Sequence, residues 1–66
     1  MTKKYKLAGV DGNAFAVMGY TEQAMRDSGF SEQEIDEYLK DATSGDYKHL
    51  LAVSSVMINK CNERGQ

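Results

Sequence analysis

The chain has 66 residues, a formal net charge of −2 and a single cysteine. At this length a monomer buries only about 60% of the surface that its unfolded chain exposes, so we expect one small domain over residues 1–66 that gains stability by forming a homo-oligomer. The charge excludes general attraction to DNA, RNA or anionic membranes, one cysteine excludes an internal disulfide, and the absence of a long apolar run predicts a cytoplasmic protein without a membrane span.

A short strand is predicted over residues 4–10, because the apolar side chains of Tyr5 and Leu7 alternate with lysines and turn residues follow. One strand cannot satisfy its own edges. The strand must therefore pair with a second copy, pack on the helices as an extended arm, or stay frayed.

The first helix is predicted to start near residues 11–13 and to run to about Ser28, with Asp11 or Asn13 as the N-cap. Its apolar and small side chains recur at helical spacing. The residues at this spacing are Phe15, Met18, Thr21, Glu22 and Met25, with Ala14, Val17 and Ala24.

Two glycines give further expectations for this helix. Gly29 suits the left-handed position after the last turn, and Phe30 then covers Met25. Gly19 lies inside the helix, where glycine costs about 1 kcal/mol relative to alanine. We interpret Gly19 as a point of close approach by another helix.

The second helix is predicted to start at Glu32, after a capping box formed by Ser31 and Glu34. Phe30 and Ile35 have the spacing of a hydrophobic staple. The expected buried stripe comprises Ile35, Tyr38, Leu39 and Ala42. The opposite, acidic face is expected to be solvated.

The second helix should end near residues 43–44, with Gly45 in the left-handed conformation and Asp46 capping a third, central helix. So short a connection predicts an antiparallel αα-hairpin. The central helix carries the longest apolar stripe, at Tyr47, Leu50, Leu51, Ser54, Met57, Ile58 and Cys61, with Val53 and Val56 beside it as a second contact surface. The predicted fold class is an all-α, three-helix small domain with a short N-terminal strand or extended arm.

The candidate chemistry is concentrated at the starts of the first and third helices, where free backbone N–H groups and the helix dipole favour an anion. We expect the two starts to lie at the same end of the domain, with aromatic rings stacking on a planar ligand and polar groups binding its anion. The candidate ligand-binding residues are Gly12, Asn13, Phe15, Ser44, Tyr47, Lys48 and His49. The alternative is that both segments are only capped turns.

Catalysis is less well supported. His49 lies near Asp46, which is the minimum equipment for acid–base chemistry. The sequence contains no metal-ligand spacing and no phosphate-binding glycine loop. We therefore expect a non-enzymatic protein with no catalytic residues, no metal and no cofactor.

Three motifs carry a family resemblance: Gly12–Gly19 (GNAFAVMG), Glu34–Tyr38 (EIDEY), and Ala42–Tyr47 (ATSGDY) followed by His49-Leu50-Leu51. Over roughly residues 7–58 the chain resembles small proteins encoded by phages, prophages and other mobile elements, many of them in Gram-positive bacteria. Many of these proteins have a basic helix face after Gly19 and a tryptophan late in the last helix, whereas this chain has Thr21-Glu22-Gln23 and no tryptophan. The resemblance implies an accessory or anti-defence protein in the cytosol of a host cell.

Three functions remain open. The first is a non-enzymatic protein that binds or sequesters a small, anionic, nucleotide-like ligand. The second is a protein–protein interaction module that inhibits or adapts a host factor. The third and weakest is a small enzyme that uses His49 and Asp46.

Overall fold

The computed structural model describes residues 5–7 and 9–64. Over these residues the chain forms three helices and no strand: α1 (Ala14–Asp27), α2 (Glu32–Ala42) and α3 (Tyr47–Arg64). The predicted all-α, three-helix domain is therefore confirmed. The strand predicted for residues 4–10 is not formed in the described part of that segment, and residues 4 and 8 lie outside it.

The N-terminal segment packs instead as an arm on the helices. Tyr5 is buried, and its backbone pairs with the side chain of Asn62 near the end of α3. The Lys6 N–H donates to the hydroxyl of Tyr20 on α1 at 2.8 Å. Hydrogen bonds to helix side chains thus replace the strand partner that the sequence pattern required.

The turn between α1 and α2 follows the sequence prediction. Gly29 has a φ of 89°, its N–H donates to the Arg26 carbonyl, and the Phe30 N–H donates to the Met25 carbonyl at 3.0 Å. This pair of bonds is a Schellman motif, which satisfies carbonyls that the last helical turn leaves free. Arg26 also pairs with Glu32 at 2.9 Å across the turn, and this contact lowers the pKa of Glu32.

The capping box at the start of α2 is formed as predicted. The Ser31 N–H donates to a carboxylate oxygen of Glu34 at 2.9 Å, and the Glu34 N–H donates to the Ser31 hydroxyl at 3.2 Å. The bond from the Ser31 backbone lowers the pKa of Glu34, because it stabilises the charged carboxylate. The first turn of α2 is fixed by these two local bonds.

Residue pairing along the helices gives their directions. Asp41 meets His49 beside the α2–α3 connection, and Phe30 meets Arg64 at the far end, so α2 and α3 are antiparallel. Ala14 and Tyr47 line one depression, whereas later in both helices Met25 and Met57 line another. Helices α1 and α3 are therefore parallel, and their starts share one end of the domain.

The core lies where the three helices meet. Most of the apolar stripe predicted for α3 faces this core. Its buried residues are Leu50, Ser54, Ile58 and Cys61. The hydroxyls of Ser54 and Tyr38 share a hydrogen bond of 2.6 Å inside this core. Tyr47 is 41% exposed, because it stands at the first turn, beyond the last core layer.

One expectation for α1 is wrong, and it concerns Gly19. Phe15, the candidate for stacking on a ligand, is 83% exposed. Gly19 faces open space, since a Cβ added there would meet nothing within 4 Å. The side of α1 that packs on its neighbours is formed by Val17, Thr21, Ala24 and Met25, which leaves Gly19 facing solvent.

Candidate functional site

The starts of α1 and α3 enclose a shallow depression of about 270 Å³. Helix α1 contributes Ala14 and Met18, and the α2–α3 connection and α3 contribute the rest. The remaining lining residues are Ala42, Thr43, Gly45, Asp46, Tyr47 and Leu50. Most of these side chains are apolar or small, so the floor of the depression suits a flat, uncharged ring.

Asp46 determines which polar groups remain available at the start of α3. Its carboxylate accepts from the His49 N–H at 2.9 Å, and its carbonyl accepts from the Leu50 N–H. The carboxylate is thus turned back onto its own helix as an N-cap. Tyr47 and Lys48 come before His49 in the first turn of α3. The backbone N–H groups of a first turn have no acceptor within their own helix.

The start of α1 has the same arrangement with a neutral cap. The Asn13 side-chain oxygen accepts from the Ala16 N–H at 2.8 Å, and the Asn13 carbonyl accepts from the Val17 N–H. The sequence offered Asp11 or Asn13 as the N-cap of α1, and in the structure the N-cap is Asn13. Its amide oxygen accepts from the helix, and its NH₂ group can donate to an anionic ligand. Gly12 is exposed next to it.

The aromatic candidates differ in position. Tyr47 lines the depression directly and is 41% exposed. Phe15 follows the lining residue Ala14 and is 83% exposed, so its ring is free to contact a ligand or a partner that covers this end. Lys48 is exposed on the first turn of α3.

His49 and Ser44 are directed elsewhere. The His49 Nε2 lies 2.9 Å from the Asp41 carbonyl and 3.2 Å from the Asp41 carboxylate, and the Ser44 hydroxyl donates to the same carbonyl at 2.6 Å. A carbonyl oxygen can only accept, so Nε2 carries a hydrogen. Both side chains therefore close the C-terminal end of α2 rather than line the depression.

Gly45 makes this arrangement possible, but not in the predicted way. Its φ is not positive, which makes the predicted left-handed conformation wrong. A Cβ at this position would lie 2.9 Å from the Cβ and Cγ atoms of His49. Glycine is required here because the His49 side chain crosses directly over the backbone.

The geometry does not assemble the proposed catalytic pair. Asp46 contacts the backbone N–H of His49, whereas the imidazole of His49 contacts Asp41. Cys61 is fully buried, and burial raises the pKa of its thiol, which disfavours the nucleophilic thiolate. Within residues 5–7 and 9–64, no three His, Cys, Asp or Glu side chains are grouped closely enough to hold a metal ion.

Sequence reasoning found Tyr47 but missed most of the lining residues. Ala14, Met18 and Leu50 were identified only as members of apolar stripes. It also missed Asp41 as the partner of His49. The sequence offered one signal for this pair: Asp41 and His49 lie at similar distances on the two sides of a short hairpin connection. Residues in such positions face each other.

None of the helices in the described part of the chain has the length and apolar character needed to cross a membrane. Comparisons with protein-family models, with curated proteins and with solved structures find no match to this chain.

Proposed function

We propose that the protein is a non-enzymatic accessory protein of a phage or mobile element that binds and sequesters a small, anionic, nucleotide-like ligand in the host cytosol, as an anti-defence function would require. The observation that carries this proposal is the depression between the starts of α1 and α3, with Tyr47 at its wall. An apolar floor beside two helix N-termini suits a ligand that has a flat ring at one end and an anion at the other.

The orientation of Asp46 supports an anion at this place. A carboxylate directed into the depression would repel a phosphate, but this one is held against the His49 N–H. The ligand's ring would lie between Met18 and Tyr47, and its phosphate would meet the first-turn N–H groups of α3 and the ammonium group of Lys48. Asn13, the N-cap of α1, would act at the rim, whereas the hydroxyl of Ser44 is held by the Asp41 carbonyl at the end of α2.

Size supports a shared site. Ligand pockets usually enclose about 300–1,000 Å³, and this depression has about 270 Å³ in one copy of the chain. A base-sized ring fits, whereas a whole nucleotide needs a further wall. A homo-oligomer in which a second copy covers the exposed Phe15 would supply that wall.

A thermal-shift panel of nucleoside phosphates and cyclic nucleotides tests the proposal. A ligand at a hundred times its Kd stabilises the folded state by about 2.7 kcal/mol, which corresponds to a rise in Tm of roughly 10–20 °C for a domain of this size. Lys48→Ala should weaken the shift, whereas the control Lys60→Ala, an exposed lysine near the other end of α3, should preserve it. Asn13→Ala is less suitable because it also removes the α1 cap.

A protein–protein interaction module is the second candidate, favoured by two exposed apolar side chains, Phe15 at 83% and Val56 at 54%. Such a module would inhibit or adapt a host factor. If no nucleotide raises Tm and a host protein co-purifies with the wild type but not with Phe15→Ala, this second function replaces the first. The small-enzyme alternative would require turnover that is lost in His49→Ala.

A further inference from the structure

A groove lies between α2 and α3 and shares no lining residue with the depression between the starts of α1 and α3. It has a volume of about 250 Å³, and its floor is formed by Met25, Phe30, Tyr38, Val53 and Met57. Met25 and Tyr38 are buried, whereas the other three side chains are only partly buried. The floor is therefore apolar, and its two methionines can adapt to the shape of an occupant.

The rim of this groove carries an excess of negative charge. Glu34, Glu37 and Asp41 follow one another at spacings of three and four residues along α2, which places them on one side of that helix, and all three are exposed. Lys60 is the one basic side chain among the described residues that line the groove. Like charges at these spacings repel one another. A positively charged partner would therefore relieve a cost that α2 bears on its own.

The negative charge is concentrated toward one end of the groove. At the other end, the charges of Arg64 and Lys60 contribute, after the capping box, to lowering the pKa of Glu34. Among the described residues, Glu37 has no hydrogen-bond or ion-pair partner. Asp41 lies against an imidazole, which balances its charge only when that ring is protonated. A cationic group is therefore attracted most strongly to the stretch between Glu37 and Asp41.

The length of the groove fits two turns of a helix. Its lining residues run from position 34 to 41 on α2 and from 53 to 60 on α3, and these spans correspond to about 10 Å at 1.5 Å per residue. Apolar side chains at i, i+4 and i+7 of a bound helix cover the same length. A helix laid between two antiparallel helices also completes a four-helix arrangement.

Charge argues against a second copy of this chain as the occupant. Helices α1 and α2 carry one lysine or arginine each, Arg26 and Lys40, and Arg26 is already paired with two glutamates. In α3, Lys48 lies at one end and Lys60 and Arg64 lie at the other, where Lys60 lines this groove and Arg64 covers Phe30. None of the three helices offers a row of basic side chains beside an outward apolar stripe.

We infer that the groove between α2 and α3 binds an amphipathic helical segment of another protein, which inserts apolar side chains at i, i+4 and i+7 and presents lysine or arginine side chains to Glu37 and Asp41. The apolar floor supplies affinity, whereas the acidic rim selects basic segments and speeds their association. The inference goes beyond the proposed function and does not depend on it, because the groove and the depression are separate surfaces.

Selection from a display library of random peptides tests this inference. Peptides of about 15 residues, or roughly four helical turns, are selected on the immobilised wild-type protein. We expect the selected sequences to share apolar residues at i, i+4 and i+7 and to be rich in lysine and arginine. A peptide of the consensus sequence should become helical on binding, as measured by circular dichroism, and its Kd is measured by fluorescence anisotropy.

Two matched pairs of variants locate the binding site of this consensus peptide. Glu37→Lys reverses a rim charge and should raise Kd about five- to tenfold at low salt, whereas Asp36→Lys, its neighbour outside the groove, should change Kd less than about twofold. Val53→Ser removes part of the apolar floor and should raise Kd about tenfold. Val56→Ser, at an exposed position outside the groove, should leave Kd unchanged.

Several results would overturn the inference. These are a selection that yields no helical peptide, a consensus peptide that binds equally well after its lysines and arginines are replaced by glutamates, and a loss of affinity in Asp36→Lys as large as in Glu37→Lys. If the amide NMR signals of Glu37 and Val53 shift when the protein alone is diluted, the groove is occupied by a second copy instead. The nucleotide thermal shift of Glu37→Lys should equal that of the wild type, so this inference and the proposed function fail separately.

Discussion

The buried hydrogen bond between Tyr38 and Ser54 should contribute measurably to stability. The two hydroxyls lie 2.6 Å apart, and the residues are 2% and 0% exposed. Ser54→Ala leaves the Tyr38 hydroxyl in the core without this partner. A buried polar group left unsatisfied costs about 1–3 kcal/mol. In a domain of this size each kcal/mol lowers Tm by about 4–8 °C, so we expect a loss of roughly 4–24 °C.

The reverse substitution should be milder. In Tyr38→Phe the Ser54 hydroxyl can turn onto the helix carbonyl four residues earlier, as serine often does within helices. Urea unfolding of both single variants and the double variant, followed by circular dichroism at one protein concentration, gives the coupling energy of the pair. We expect about 0.5–2 kcal/mol. If the two single effects add to the double effect within about 0.3 kcal/mol, the hydrogen bond contributes no net stability and the reasoning fails.

Four further predictions concern local structure. Ser31→Ala should destabilise the protein by about 1 kcal/mol through loss of the α2 cap, as measured by urea unfolding at pH 7. The folded state lowers the pKa of Glu34. The stability that this carboxylate contributes is therefore present above its unfolded pKa of about 4.3 and is lost as pH falls through the folded pKa. In Glu34→Gln the free energy of unfolding should fall less steeply as pH is lowered into the acid range, and an unchanged slope would contradict the capping box. Gly19→Ala should raise the free energy of unfolding by up to about 1 kcal/mol, since its added methyl group meets open space in a helix. Gly29→Ala should lower the free energy of unfolding by about 1 kcal/mol, because φ is 89° at this position. If the Tm of both variants moved in the same direction in thermal melts, this contrast would be refuted. Gly45→Ala should cost about 1–3 kcal/mol in the same melts, because the new Cβ would lie 2.9 Å from a neighbouring side chain, and a neutral result would show that this side chain moves aside freely.

The sequence by itself determined the three helices and most of their ends. Asn13, Ser31 and Asp46 each cap a helix through a bond to the backbone N–H three residues later. Gly29 ends α1 through bonds that reach back no more than five residues. Such contacts lie within about one and a half helical turns, so they depend on residue type and spacing and need no information about the rest of the chain.

Only the tertiary structure decided how a side chain with more than one possible partner is oriented. His49 could turn toward the start of α3 or toward the end of α2, and the proximity of Asp41 across the hairpin decided for α2. Gly45 was recognisable as a special position, but its reason is a side chain that crosses over it rather than a left-handed backbone. The partner of His49 and the need for glycine at position 45 depend on distances between helices. These distances cannot be read from the spacing of neighbouring residues in the sequence.

The arm shows the same division. Period-two alternation around Tyr5 and Leu7 identified a segment that needs backbone partners, and the sequence left three ways to supply them. Asn62, 57 residues away, supplies one donor and one acceptor. Nothing in the sequence around Asn62 marks it for this role, because an amide pairs with any backbone that packing brings to it. The need for partners was thus local, whereas their identity follows from how α3 packs beside the N-terminus.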